Sequence, residues 1–199
     1  WNMSKVGFIG TGVMGHAMAG HLIDAGFELV VYNRTPKKAE DLVSRGALLA
    51  LTPGQIAQQC DTIITMVGYP SDVEEVYFGS DGIIENAPID ALLIDMTTSS
   101  PALAQRIFDK ASQSGKHALD APVSGGDVGA KNATLTIMVG GEKADFDRAV
   151  PLFEVMGTNY SLHGGAGCGQ HCKMANQINI ASTMMGMADS LAYAIASGL

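Results

Sequence analysis

Six short apolar runs recur along the chain: 5–10 (KVGFIG), 28–33 (ELVVYN), 62–67 (TIITMV), 91–96 (ALLIDM), 116–121 (KHALDA) and 134–140 (TLTIMVG). Stretches of helical character, at about 13–25, 36–45, 71–78, 100–114 and 143–156, lie between or after them. This alternation constrains the fold more than any other feature. Strands alternating with helical stretches build a mostly parallel sheet covered by helices, so the chain is expected to be a doubly wound α/β protein. Thr35 before Pro36 and Ser100 before Pro101 each place a capping hydroxyl ahead of a preset first turn. Pro53 and Pro70 read as loop punctuation.

From Gly164 the pattern changes. HGGAGCGQ reads as a glycine-rich hinge, and HCKMANQINIASTMMGMADSLAYAIASGL then reads as one long helix with Gly186 its only interior glycine. Met174, Ile178, Ala181, Met184, Met185, Met187, Leu191 and Ile195 put apolar groups on more than one side of it, and such a helix has to be covered. The expected division is 3–163 for a dinucleotide-binding domain and 164–199 for the hinge and the start of a helical second domain. The remainder of that domain, or a second copy in a homo-oligomer, would supply the cover. Met184, Met185 and Met187 read as packing residues for it. Trp1 and Asn2, before Met3, are set aside as extraneous to the fold.

Composition narrows the function. Hydrophobic residues at 47% and charged residues at 16% exclude a disordered chain. No apolar run is long enough to span a bilayer, and the early apolar residues belong to a strand and helix rather than a signal peptide. A formal net charge of −8 argues against nucleic acid as a partner, so a small anionic ligand would be held by a few local groups. Three cysteines, Cys60, Cys168 and Cys172, without a disulfide-scaffold spacing point to a reducing compartment, hence a cytoplasmic protein.

GTGVMG, Gly10 to Gly15, follows the first apolar run and fits G-x-G-x-x-G. The first glycine serves a tight turn, the second lets backbone approach a pyrophosphate, and the third allows close strand–helix packing. By itself the pattern also suits methyl-donor-binding and purely structural α/β units. About 20 residues on, at the end of the next strand, a carboxylate would accept the ribose 2′-hydroxyl of NAD. Here the chain has Asn33, then Arg34 and Thr35, with Lys37 and Lys38 nearby, which favours NADP over NAD.

Two later motifs carry polar chemistry. DAPVSGG, Asp120 to Gly126, leaves Ser124 beside Gly125 and Gly126 at a strand end, a nest for a carboxylate or simply a tight turn. GCGQHCKMANQ places Lys173, Asn176 and Gln177 at i, i+3 and i+4, on one helix face. A lysine there either snorkels or stands beside a reacting oxygen, where desolvation eases proton loss. His163, Cys168, His171 and Cys172 lack the spacing of paired zinc ligands, so no metal is expected. Asp95, Asp120 and Asp127 read as loop and cap carboxylates.

Taken together, GFIGTGVMGHAMAGHL, LIDMTTSSP, DAPVSGG and GCGQHCKMANQ resemble, in that order, the motifs of the β-hydroxyacid dehydrogenase family, which includes 3-hydroxyisobutyrate dehydrogenases and tartronate semialdehyde and glyoxylate/succinic semialdehyde reductases. The resemblance implies a Rossmann-type fold and hydride transfer between NADP(H) and a small 3-hydroxy acid or aldehyde acid. It implies Lys173 as acid/base with Asn176 or Gln177 as helper, and Ser124, Gly125, Gly126 and Thr98 at the substrate. Cofactor contacts are expected from Gly10, Thr11, Gly12, Val13, Met14, Gly15, Asn33, Arg34, Thr35, Met66, Val67 and Thr98. Many members carry Asn four residues after the lysine; Gln177 stands there instead, behind Asn176, a pattern similar to tartronate semialdehyde reductases. The alternatives are a non-catalytic dinucleotide-binding module and an imine reductase, a class that usually replaces the lysine.

Overall fold

The sheet is built around β1 (Val6–Ile9), whose four residues are all buried, and it is followed by α1 (Val13–Asp24). The structure, a computed structural model, describes residues 5–199; Trp1 to Ser4, and the expectation about the chain's start, lie outside the described residues. Next come β2 (Leu29–Tyr32), a 3-10 turn (Pro36–Ala39), α2 (Glu40–Ser44), β3 (Leu48–Leu49) and α3 (Pro53–Ala57). They are followed by β4 (Thr62–Thr65), α4 (Pro70–Phe78), α5 (Ile83–Asn86), β5 (Leu92–Asp95), α6 (Pro101–Gln113) and β6 (His117–Asp120). The six strands form one parallel sheet in the order β3-β2-β1-β4-β5-β6. This is a Rossmann-type fold.

Alternate residues of each strand feed opposite cores. Phe8, Val31, Ile64, Ile94 and Leu119 join Met18, Leu22 and Phe153 on one face, while Ile9, Val30, Ile63, Leu93 and Ala118 join Ile56, Tyr77, Ile83 and Ile107 on the other. Burial on both faces is why these runs read as continuously apolar. Each large side chain so buried contributes about 1.5–3 kcal/mol. Strand order reverses between β1 and β4, which opens a crevice at the carboxyl ends of these two strands.

The sixth apolar run does not join this sheet. It is β8 (Leu135–Val139), paired antiparallel with β7 (Val123–Ser124) and parallel with β9 (Gly157–Leu162) in a separate three-stranded sheet. Between β7 and β8 lies only α7 (Gly126–Lys131), so the chain doubles back and pairs locally; α8 (Lys143–Met156) then leads into β9. Val123, just beyond Pro122, already faces Ile137, and an Asp120–Gly140 bridge links the two sheets. β9 escapes a sequence search because half its residues are polar and exposed.

Pro53 and Pro70 open helices rather than merely punctuating loops. Thr52 caps α3 by accepting from Gln55 N–H at 3.2 Å, as Ser100 caps α6 by accepting from Leu103 N–H at 3.1 Å. Thr35 differs: it makes no side-chain cap bond, and the stretch expected as one helix over 36–45 divides into the 3-10 turn and α2. The last element, α9 (Cys168–Ala196), starts three residues before the expected His171. Only Gly169, Gln170 and Lys173 of α9 are buried; Ile178, Met184, Met185, Met187, Leu191 and Ile195 are exposed.

Candidate functional site

The first part of the site is the turn between β1 and α1. Gly10 has φ +97°, and a side chain there would run into the Met66 carbonyl; one at Gly15 would run into the Gly10 carbonyl. Gly12 instead faces open space, with nothing within 4 Å of a Cβ placed on it. Gly12 also begins α1 without a side-chain cap, and no acidic residue occupies the first turn. The first turn's N–H groups therefore point, unsatisfied within the helix, into a cleft of about 510 Å³ at the helix's positive end.

Gly10, Gly12, Val13, Met14 and Gly15 line that cleft on one side, Asn33, Arg34 and Thr35 on a second, Met66 and Val67 on a third. Asn33 ties two of these walls together: its Oδ1 accepts from Thr11 N–H at 3.0 Å and its Nδ2 donates to the Thr35 carbonyl at 2.9 Å. Arg34 is 78% exposed and donates to Asp72 on α4 at 3.2 Å, a surface pair of the kind worth little. Thr11 itself is buried and contributes no surface to the cleft, and Thr98, though exposed, lies outside its lining.

The second part is the start of α9. Asp120, at the end of β6, accepts from Gly167 N–H through Oδ1 and from Gln170 N–H through Oδ2, both at 2.8 Å. This cap lies 47 and 50 residues away in sequence from the amides it satisfies, and it is why α9 begins at Cys168. Burial raises the Asp120 carboxyl above the ordinary range, opposed by these hydrogen bonds. Gln170 then clamps the loop after β5, accepting from Ser99 N–H at 2.9 Å and donating to the Thr97 carbonyl at 2.8 Å.

One turn further, Lys173 is 7% exposed, and desolvation lowers its ammonium below the ordinary lysine value. Asn176 stands over the DAPVSGG motif, its Nδ2 at 3.4 Å from Ser124 Oγ. Gln177 is exposed and meets the site through its Oε1, 3.4 Å from Asn176 Nδ2. After Ser124 the backbone turns through Gly125 and Gly126 at φ 129° and 62°. The arrangement offers an anion-accepting helix end, a buried amine and a hydroxyl–amide pair.

Residues 5–165 match the NAD binding domain of 6-phosphogluconate dehydrogenase. The chain belongs to the β-hydroxyacid dehydrogenase family. It is 57% identical to an uncharacterised oxidoreductase of Bacillus subtilis over 98% of this chain and 67% of that protein. It is 42% identical to the 2-hydroxy-3-oxopropionate reductase of Escherichia coli over 98% and 66%. The solved structure of Mycobacterium tuberculosis 3-hydroxyisobutyrate dehydrogenase with L-serine superposes with a TM-score of 0.92 at 32% identity, covering 99% of this chain and 67% of that one. Curated relatives are longer: the chain spans between 58% and 68% of their lengths.

A dinucleotide fits the first glycine turn of this chain, since Gly12 leaves room for it and the first-turn amides, without a side-chain cap, can receive its phosphates. Sequence reasoning missed Gln170 as a clamp, and Tyr69, Asp72, Glu75 and Asp81 as cleft residues. Gln170 carried one signal, a polar side chain amid glycines one turn before the lysine. Cys172 Sγ lies 3.6 Å from His163 Nε2, but among the described residues no group of three or more His, Cys, Asp or Glu could hold a metal ion. Among them, too, no helix is long and apolar enough to cross a membrane.

Proposed function

We propose that the chain forms the cofactor-binding and proton-donating part of a dehydrogenase that passes a hydride between NADP(H) and a small 3-hydroxy acid or aldehyde acid, such as 3-hydroxyisobutyrate or tartronate semialdehyde. The observation that carries this reading is Lys173: a buried amine whose ammonium desolvation disfavours and which makes no ion pair among the described residues, on the helix face where Asn176 reaches Ser124. A merely structural lysine would be exposed or paired.

In this reading 3–163 holds the dinucleotide through the free amides of α1 and through Arg34, Thr35 and Lys38, which face the cleft beside the uncharged Asn33. A neutral amide and two cations at that corner suit a 2′-phosphate better than a bare ribose. Bound there, the cofactor supplies the hydride or takes it back. Ser124 with the amides of Gly125 and Gly126 holds the substrate carboxylate, Thr98 flanks it, and Asn176 steadies the hydroxyl. As the carbonyl carbon is reduced, charge grows on its oxygen, and Lys173 in its ammonium form gives that oxygen a proton; in oxidation the neutral amine removes it. Reduction should therefore slow as pH rises past a pKa lower than that of an ordinary lysine.

The stretch 164–199 enters the helical unit, and the exposed apolar residues of α9 are covered there by the remainder of the protein or by a second copy. The test is turnover by the full-length protein with a panel of small semialdehydes, using NADPH and NADH in parallel. Oxidation of NADPH by at least one aldehyde acid is expected. Cofactor binding without turnover of any would leave a non-catalytic dinucleotide-binding module in its place.

A further inference from the structure

We infer that Gln170 is a positioning residue, which fixes Lys173 against the loop after β5 so that proton donor and cofactor cleft hold one geometry. This rests on the reading of Lys173 as the proton donor. Gln170 is fully buried and makes three hydrogen bonds to groups distant in sequence. Its backbone N–H is held by Asp120 Oδ2, its Nε2 by the Thr97 carbonyl and its Oε1 by Ser99 N–H. The two side-chain bonds bracket Thr98, leaving that residue exposed between them.

The loop is in turn tied to the cleft. Thr97 Oγ1 accepts from the N–H of Val67, a cleft residue, at 3.1 Å, and Thr97 N–H donates to Asp95 Oδ1 at 3.0 Å. A continuous path of hydrogen bonds thus runs from the cleft wall through Thr97 to Gln170, and Lys173 follows three residues later on nearly the same helix face. A primary amide suits the position at every pH. Ser99 offers a donor and Thr97 an acceptor, so the side chain has to accept at one end and donate at the other. Helix docking alone would not require both polarities; fixing the rotation of α9, and with it the direction of Lys173, does.

The test uses the full-length protein with Gln170→Met, which keeps the bulk and removes both bonds, and Gln170→Glu, which still accepts from Ser99 but donates to Thr97 only when protonated. In Gln170→Met, kcat should fall about 10-fold or more while the KM for NADPH changes little. Hydrogen exchange at the Ser99 amide should quicken in the same variant, a readout independent of turnover. In Gln170→Glu, kcat should approach the wild-type value at acid pH and fall as pH rises through the pKa of the buried glutamic acid, adding a limb absent from the wild type. Wild-type kcat in Gln170→Met, or unchanged Ser99 exchange, would overturn the inference. Should Gln170→Met not fold, Gln170→Glu decides, since a wild-type pH profile in it is equally fatal. An inactive wild type strikes the proposed function instead, which separates the two failures.

Discussion

α1 and α9 both begin at glycine turns on the carboxyl edge of the parallel sheet, and they treat their first amides in opposite ways. At α1 nothing among the described residues fills them: Gly12 brings no side chain and the first turn no acid. At α9 the carboxylate of Asp120 takes two of them at 2.8 Å each. An open helix end keeps its positive character for an anionic ligand, whereas a filled one gives up that capacity for a fixed position. In the proposed reading the difference separates two tasks, holding phosphates at α1 and aiming Lys173 from α9.

The largest effect should come from emptying the aimed end. Lys173→Ala is expected to lower turnover by about 10²–10⁴-fold while the NADPH dissociation constant stays near the wild-type value, measured by fluorescence titration. Near-normal turnover in that variant would dissolve the contrast, because α9 would then be aiming nothing. Filling the open end is the mirror experiment. Gly12→Asp fits sterically, with no atom within 4 Å of the new Cβ, so the protein should fold and melt normally. Its carboxylate, sitting where phosphates would bind, should weaken NADPH binding by about 100-fold. Unaltered affinity there would move the phosphates off α1.

Unfilling the capped end tests stability instead. Asp120→Ala leaves two buried amides without an acceptor and should cost about 2–4 kcal/mol by urea unfolding, with Asp120→Asn costing less. A loss under about 0.5 kcal/mol would mean that the cap is ornamental. The smallest effect concerns Asp95, whose carboxyl burial pushes up to about 7 and whose Oδ2 makes no well-formed hydrogen bond. The fold favours its protonated form, so the stability it provides is complete below the ordinary aspartate value and is lost as pH climbs through 7. Asp95→Asn should remove that slope and exceed wild-type stability by about 1–2 kcal/mol above neutral pH, with the gap closing toward about pH 4. Parallel pH–stability curves for the two proteins would reject this.

Much of the sheet was legible because strands buried on both faces leave a plain mark. Val30 and Val31 or Ile63 and Ile64 can sit side by side only where both faces are covered. The two-residue strands β3 and β7, and the half-polar β9, leave none, and the apolar run at 134–140 announced a strand without saying which sheet would receive it. In the site, the glycine spacing and the helical spacing of Lys173 and Asn176 could be read directly. Which of Asn176 and Gln177 comes within reach of Ser124 could not, because Ser124 lies 52 residues away from Asn176.

By itself, then, the sequence determined the parallel α/β layering, the glycine turn with its open helix end, and the lysine's place on one face with its neighbouring amides. These follow from rules that act within a turn of helix or a single strand. Tertiary structure alone decided that Asp120 would close α9, that Gln170 would hold Thr97 and Ser99, and that Asn33 would pin Thr11. Those bonds join groups 22 to 73 residues apart, and a buried polar atom takes whichever partner packing brings within reach.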